Sequence, residues 1–197
     1  MASKIMIWNM ALGFIGTRTV TSEAEKCQEA VQCNLFWDNA RRSVLRAYPF
    51  QFAQRKQSLA EKILPKEYGS MWRHAYGLPY NCLAVQAVAD TNNFYEKKYF
   101  ETAVTSEGER ILLCDVSPCF LHFTEDVDNT DLFDELFINA LAYKLAALVC
   151  VPLLKNNAQK VQELNQLYEM SIQKAVQSNA REQKQKPYMD EWISSRY

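Results

Sequence analysis

The sequence predicts a mainly α protein, an up-and-down helical bundle with an inserted small antiparallel β-sheet and an extended C-terminal tail. Three observations lead there. Apolar residues recur at helical spacing on both sides of the middle of the chain; the period falls toward two between Tyr80 and Phe123; and a polar stretch, Arg-Glu-Gln-Lys-Gln-Lys, follows Ala180. The expected division is a bundle over 1–79 and 125–181, a β subdomain over 80–124 and a tail over 182–197.

The first helix is expected over Met6 to Ile15, ended by Gly16. Lys4 before this apolar run invites comparison with an export signal. Asn9 interrupts the run and no small-x-small cleavage site follows, so an amphipathic helix is the better reading. The second helix is expected to open at Ser22, capped by its hydroxyl with Glu25 completing a capping box, and to stop at Pro49. Cys27, Val31, Leu35, Asp38 and Leu45 form one stripe, which Ala30, Cys33, Trp37, Ala40 and Val44 broaden. Arg41, Arg42 and Arg46 lie near its end, where positive charge complements the helix dipole.

Four short strands are expected: Leu83 to Val88, Phe94 to Phe100, Arg110 to Cys114 and Cys119 to Phe123. Thr105-Ser-Glu-Gly-Glu109 supplies a hairpin turn. A third long helix, capped by Asp131 and stopped by Pro152, is apolar nearly all round and hence central. Its apolar run could be mistaken for a membrane span, but Lys144 near the middle costs about 2.5–3.5 kcal/mol on insertion scales. No membrane insertion is expected. A fourth helix, from Asn156 to Ala180, presents Val161, Leu164, Tyr168, Ile172 and Ala175 on one face. Helices two, three and four are expected to form the up-and-down core.

Composition limits the function classes. Charged residues make up 23% with a formal net charge of −1, so no global field recruits nucleic acid or an anionic membrane. The six cysteines are scattered through apolar stretches, which suits buried free thiols in a reducing cytoplasm. Cys114, Cys119 and His122 are ligand types for zinc, but alternation sends Cys119 and His122 to opposite faces and a fourth ligand is missing. A cysteine nucleophile with His74 or His122 as base lacks a local nucleophile motif. The acidic run from Glu125 to Asp131 lacks the turn glycine and closing glutamate of a calcium loop. There is no glycine-rich phosphate loop. The expectation is no enzyme, no cofactor and no metal.

Two features remain for binding. Arg41, Arg42 and Arg46, with Arg18, could contact phosphates or serve structure and subunit ion pairs. Tyr188, Trp192, Ile193, Arg196 and Tyr197 follow a polar spacer and are mostly of the types that anchor interfaces, though a tail folded back on its own bundle is the alternative.

The segment order resembles the head-to-tail adaptors, or tail tubular protein A family, of short-tailed bacteriophages. The residues that carry the likeness are the helix ending in Ala40-Arg-Arg and the Tyr48-Pro-Phe-Gln-Phe52 corner, Tyr76-Gly-Leu-Pro-Tyr-Asn-Cys-Leu83 before a strand, the Phe133 to Pro152 helix and the Trp192 tail. The resemblance implies a structural protein assembled as a twelve-fold ring between portal and tail nozzle. Such a ring continues the channel through which the genomic DNA leaves; it belongs to the virion and is assembled in the host cytoplasm. On that reading Tyr188, Trp192, Ile193, Arg196 and Tyr197 bind the portal protein. Phe94, Tyr95, Tyr99, Glu107 and Glu109 face the nozzle protein or the neighbouring copy, and Arg41, Arg42 and Arg46 face the channel or the subunit interface. The alternative is a small cytoplasmic nucleic-acid-binding regulator using the Arg41, Arg42 and Arg46 patch.

Overall fold

The computed structural model describes residues 3–94, 96–155 and 157–182, with side chains placed through 178. The first helix, α1 (Lys4–Ile15), is capped by Ser3, whose hydroxyl accepts from the Met6 amide, and ends at Gly16 in the left-handed conformation with φ 74°. Asn9 ties the following loop back: its amide donates to the Val20 carbonyl at 2.9 Å and its oxygen accepts from the Val20 N–H at 2.8 Å. The polar residue inside the apolar run therefore fixes the turn out of the helix.

Helix α2 (Gln28–Ala47) starts later than Ser22, with Cys27 as its cap. Ser22 and Glu25 belong instead to a preceding turn, in which the Glu25 carboxylate accepts from the Thr21 amide at 2.9 Å. That amide, with Arg18 adding charge attraction, holds the Glu25 carboxyl below the usual range. The buried face of α2 is Ala30, Cys33, Trp37, Ala40, Arg41, Val44 and Leu45. Val31 and Leu35, expected in the stripe, are 56% and 67% exposed. The core-facing arc is thus rotated toward the residues expected only to broaden it.

After α2 the aromatic corner packs on α3 (Glu135–Leu153). Phe50 meets Phe137 edge-on at 5.0 Å, Phe52 lies 5.1 Å from Phe137, and Phe133 lies 4.6 Å from it. Helix α3 is capped by Asp134, not Asp131, which sits in a 3-10 turn before it, and it carries Pro152 within its last turn. Helices α1, α2 and α4 (Ala158–Glu182) all pack against α3. This accounts for its all-round burial, including Ala140, Leu141, Leu145, Ala146 and Cys150. Its mean hydropathy of 1.9 and its length would suffice for a membrane span, and 56% of that window is buried among its neighbours. Lys144 is accommodated by lying 5.0 Å from the Tyr168 ring of α4.

The expected mainly α, up-and-down bundle with one inserted sheet is corrected here. Among the described residues the protein is a mixed α/β fold, 45% helical and 20% strand, with two antiparallel sheets. Its strands are β1 (Gln54–Ser58), β2 (Glu61–Lys62), β3 (His74–Gly77), β4 (Cys82–Ala89), β5 (Phe100–Val104), β6 (Arg110–Cys114) and β7 (Phe120–Glu125). One sheet has the order β1-β7-β4 and the other β2-β3-β6-β5. Three strands lie before residue 80, and their sequences explain why no alternation marked them: β1 is exposed along nearly its whole length and β2 has two residues. An edge strand with polar residues on both faces carries no period-two signal. Of the strand expected from Phe94 to Phe100, only Phe100, the first residue of β5, is in a strand among the described residues; Phe94 has φ 54°, which interrupts extended backbone.

The two sheets share one buried cluster. Tyr76, Leu112 and Cys114 come from one sheet, Cys82, Val88, Leu121 and Phe123 from the other, and Cys119 from the corner between them. The opposite face of the four-stranded sheet buries Ala75, Ile111 and Leu113 under Leu64, Tyr68 and Trp72 of the 64–72 loop. The Leu78-Pro79 corner carries the chain from one sheet to the other, with the Cys82 amide donating to the Pro79 carbonyl at 3.0 Å.

Candidate functional site

The densest polar constellation joins the helices to the sheets. It is built where β7 ends, so that Glu125 and Asp126 project toward the last turns of α2 and the start of β1. Arg41, only 3% exposed, donates to Asp126 and, at 2.6 Å, to the Val127 carbonyl. Arg42 Nε lies 2.8 Å from the other Asp126 oxygen, and Arg55 Nε lies 2.7 Å from Glu125. Asn81 donates to Glu125 at 2.6 Å and accepts the Asp126 amide at 2.8 Å. Arg46 reaches the Leu83 carbonyl at 3.3 Å. The arginines expected as one patch are therefore divided: Arg41 is consumed inside the protein, while Arg42 and Arg46 remain on the surface.

This arrangement is a structural clamp chemically. The Asp126 carboxylate is met by two guanidinium groups and the Glu125 carboxylate by a guanidinium and the Asn81 side-chain amide, so little anion-binding capacity is left at Arg41. The acidic run that ends in Asp131 supplied these partners. Sequence spacing alone does not reveal that Asp126 stands opposite α2.

The residues expected to face the nozzle or a neighbour do not share one element. Phe94 is half-buried beside the three-stranded sheet, 5.6 Å from the His122 ring and 5.1 Å from Lys56 Nζ. Glu107 and Glu109 belong to the β5–β6 hairpin of the other sheet, where Glu109 pairs with Lys62. Tyr99 is 91% exposed just before β5. Tyr95 lies outside the described residues. So do Tyr188, Trp192, Ile193, Arg196 and Tyr197, the expected portal contacts.

Apolar side chains project from several places. Tyr80 is 99% exposed at the Leu-Pro corner, beside a hollow of about 310 Å³ bordered by Lys62, Gly77 and Glu109. On the helical side, Val151 and Met170, at 44% and 48% exposure, flank an open groove of about 840 Å³ along α4. Val31 and Leu35 border a second groove on α2. α2 and α4 flank the central α3, so these two grooves lie on different helices of the bundle.

The His122 imidazole separates from the Cys119 thiol, as alternation requires. His122 lies on the face of β7 opposite Leu121 and Phe123, away from the sulfur atoms of Cys114 and Cys119, which are 3.9 Å apart. Burial, with Lys56 and Lys97 nearby, pushes the His122 imidazole below its ordinary pKa. His74 Nδ1 donates to the Glu61 carboxylate at 2.6 Å. Among the described residues no group of three or more His, Cys, Asp or Glu side chains converges to hold a metal ion. No protein-family model and no curated protein matches the chain.

Proposed function

We propose that this chain is a structural head-to-tail adaptor of a short-tailed bacteriophage. It would form a ring between the portal and the tail nozzle and continue the channel for the genomic DNA. The reading rests on the resemblance in segment order. The observation that supports it best is the placement of large apolar side chains on separate surfaces: Val31 and Leu35 on α2, Val151 and Met170 along the α3–α4 groove, and Tyr80 and Tyr99 by the sheets. A ring needs two different complementary faces on each copy, because a cyclic contact is heterologous. Grooves on different helices, with single exposed aromatics at the sheets, suit a subunit with neighbours on two sides and a further partner.

On this reading the 182–197 tail grips portal subunits, and the surface arginines Arg42 and Arg46 lie toward the channel or the subunit contact. The ring would be twelve-fold, as in the family it resembles. Individually weak contacts then add through effective concentration.

The test is to mix the purified protein with the candidate portal ring and measure mass and shape by native mass spectrometry and electron microscopy. A ring of added density below the portal is the expected result. Absence of association, together with salt-sensitive binding of the free protein to duplex DNA, would overturn the adaptor in favour of a nucleic-acid-binding regulator.

A further inference from the structure

We propose that Cys114 and Cys119 form a reversible oxidation site, a dithiol that closes to a disulfide by exchange with a small-molecule disulfide such as oxidised glutathione. This stands independently of the adaptor reading.

The geometry carries the inference. Cys114 is the last residue of β6 and Cys119 immediately precedes β7, so the two thiols face each other across the corner that joins the sheets. Their sulfur atoms are 3.9 Å apart in the shared buried cluster. A sulfur–sulfur bond of ~2.05 Å requires them to close further. Because both residues flank one short corner, side-chain rotation and adjustment of that corner supply the movement. Nothing has to pass between distant elements.

The pair is also chemically asymmetric. The hydrogen bond shared with Cys119 draws Cys114 down to about 7 against the opposing effect of burial, with the His74 imidazole helping, while Cys119 is pushed up. His74 is directly opposite Cys114 in the β3–β6 register, on the same face of the sheet. The residue that ionises first is therefore Cys114, and the thiolate is the attacking species.

Access is controlled by the corner. Cys114 and Cys119 are 0% and 1% exposed, whereas Asp115, Ser117 and Pro118 above them face solvent. Two bonds hold this cover in place: the Arg73 amide donates to Asp115 at 3.0 Å, and the Tyr76 hydroxyl donates to the Val116 carbonyl at 2.8 Å. When the corner opens, Cys114 thiolate attacks one sulfur of the reagent and expels one glutathione thiolate. Cys119, giving up its proton to solvent, then attacks the Cys114 sulfur of the mixed disulfide and expels the second. The protein loses two electrons and two protons, and the reagent becomes two thiols.

The experiment uses the full chain, kept folded as judged by circular dichroism, with oxidised glutathione as the probe. Remaining thiols are alkylated and peptides are mapped by mass spectrometry. The expected product is a Cys114–Cys119 linked peptide, with Cys33, Cys82 and Cys150 still reduced. Cys119→Ser should trap a single glutathione on Cys114, and Tyr76→Phe should speed linkage roughly fivefold by loosening the cover. Phenylarsine oxide, which bridges closely spaced thiols, should bind one equivalent to the untreated wild-type chain and block the linkage, a result that needs no variant to fold. A folded protein that modifies Cys27 yet leaves Cys114 and Cys119 reduced and binds no arsenical would overturn the proposal. So would a linkage that forms only in denaturant.

Discussion

Arg41 and Asp126, separated by most of the β region in sequence, meet in a largely buried ion pair that binds the last turns of α2 to the strand leaving the sheets. Arg42 approaches the same carboxylate from the surface. Removing one partner of a buried pair leaves the other charge uncompensated, which costs about 3–5 kcal/mol. Asp126→Ala leaves Arg41 with the mostly exposed Asp38 carboxylate at 3.3 Å and should destabilise the protein by up to about that amount in urea unfolding. Arg42→Ala, which removes a half-exposed partner, should cost no more than about 1 kcal/mol. Equal effects of the two substitutions would contradict the division of the arginines described above.

The aromatic corner gives a second prediction. Phe137 is fully buried and touched by Phe50, Phe52 and Phe133. Phe137→Ala should cost about 3–5 kcal/mol, read as a lowered thermal midpoint. Leu35→Ala on the exposed side of α2 should stay within about 0.5 kcal/mol in the free protein. If the adaptor reading holds, Leu35→Ala weakens assembly instead, measured by sedimentation of the mixture with portal.

The hairpin turn between β5 and β6 places Gly108 at φ 83°, and no atom lies within 4 Å of the point a Cβ would occupy there. Strain therefore acts alone at this site. Gly108→Ala should destabilise by about 1–2 kcal/mol, the penalty for an L-residue in the left-handed region, without disturbing neighbours. Chemical denaturation of the two proteins checks this directly.

His122 gives a pH dependence with a definite sign. Its folded-state pKa lies below the ordinary 6.5 because burial and the positive charges of Lys56 and Lys97 disfavour the imidazolium. The unfolded chain thus binds this proton first as pH falls through about 6.5, and stability is lost from there downward through the folded pKa. His122→Asn should flatten the stability-against-pH curve below about pH 6.5. An unchanged slope would show that the imidazole is solvated in the folded protein.

Truncation after Glu182 tests the tail separately from the fold. The helices and sheets described lie before that residue, so the truncated chain should keep its circular dichroism and unfolding midpoint. Under the adaptor reading it should lose portal binding. Binding retained by the truncated protein would remove the portal role from Tyr188, Trp192, Ile193, Arg196 and Tyr197.

The helices were legible because their apolar period is long and repeated: α3, from Phe137 to Cys150, shows burial all round just as its composition suggests. The turn at Gly108 was legible for a local reason, the need for positive φ. What sequence hid was set by tertiary partners. Val31 and Leu35 share a stripe with true core residues, and only the position of α3 decides that Ala30 and Trp37 face inward instead. Strand β1, Gln-Arg-Lys-Gln-Ser, owes its extension to pairing with β7 and not to any apolar alternation of its own. The arginine cluster looked like one surface patch because adjacent helical residues differ in direction by a turn angle, which decides that Arg41 is buried and Arg42 exposed.

The central position of α3 has a consequence for synthesis on the ribosome. Trp8, Trp37 and Phe50 emerge early, yet the helix that covers them is made only after the whole β region has been translated. At about 5–20 residues per second, the first two helices wait several seconds with their apolar faces uncovered. Nascent chains halted before Phe137 should therefore be bound by general chaperones, and chains released beyond Leu153 should escape them.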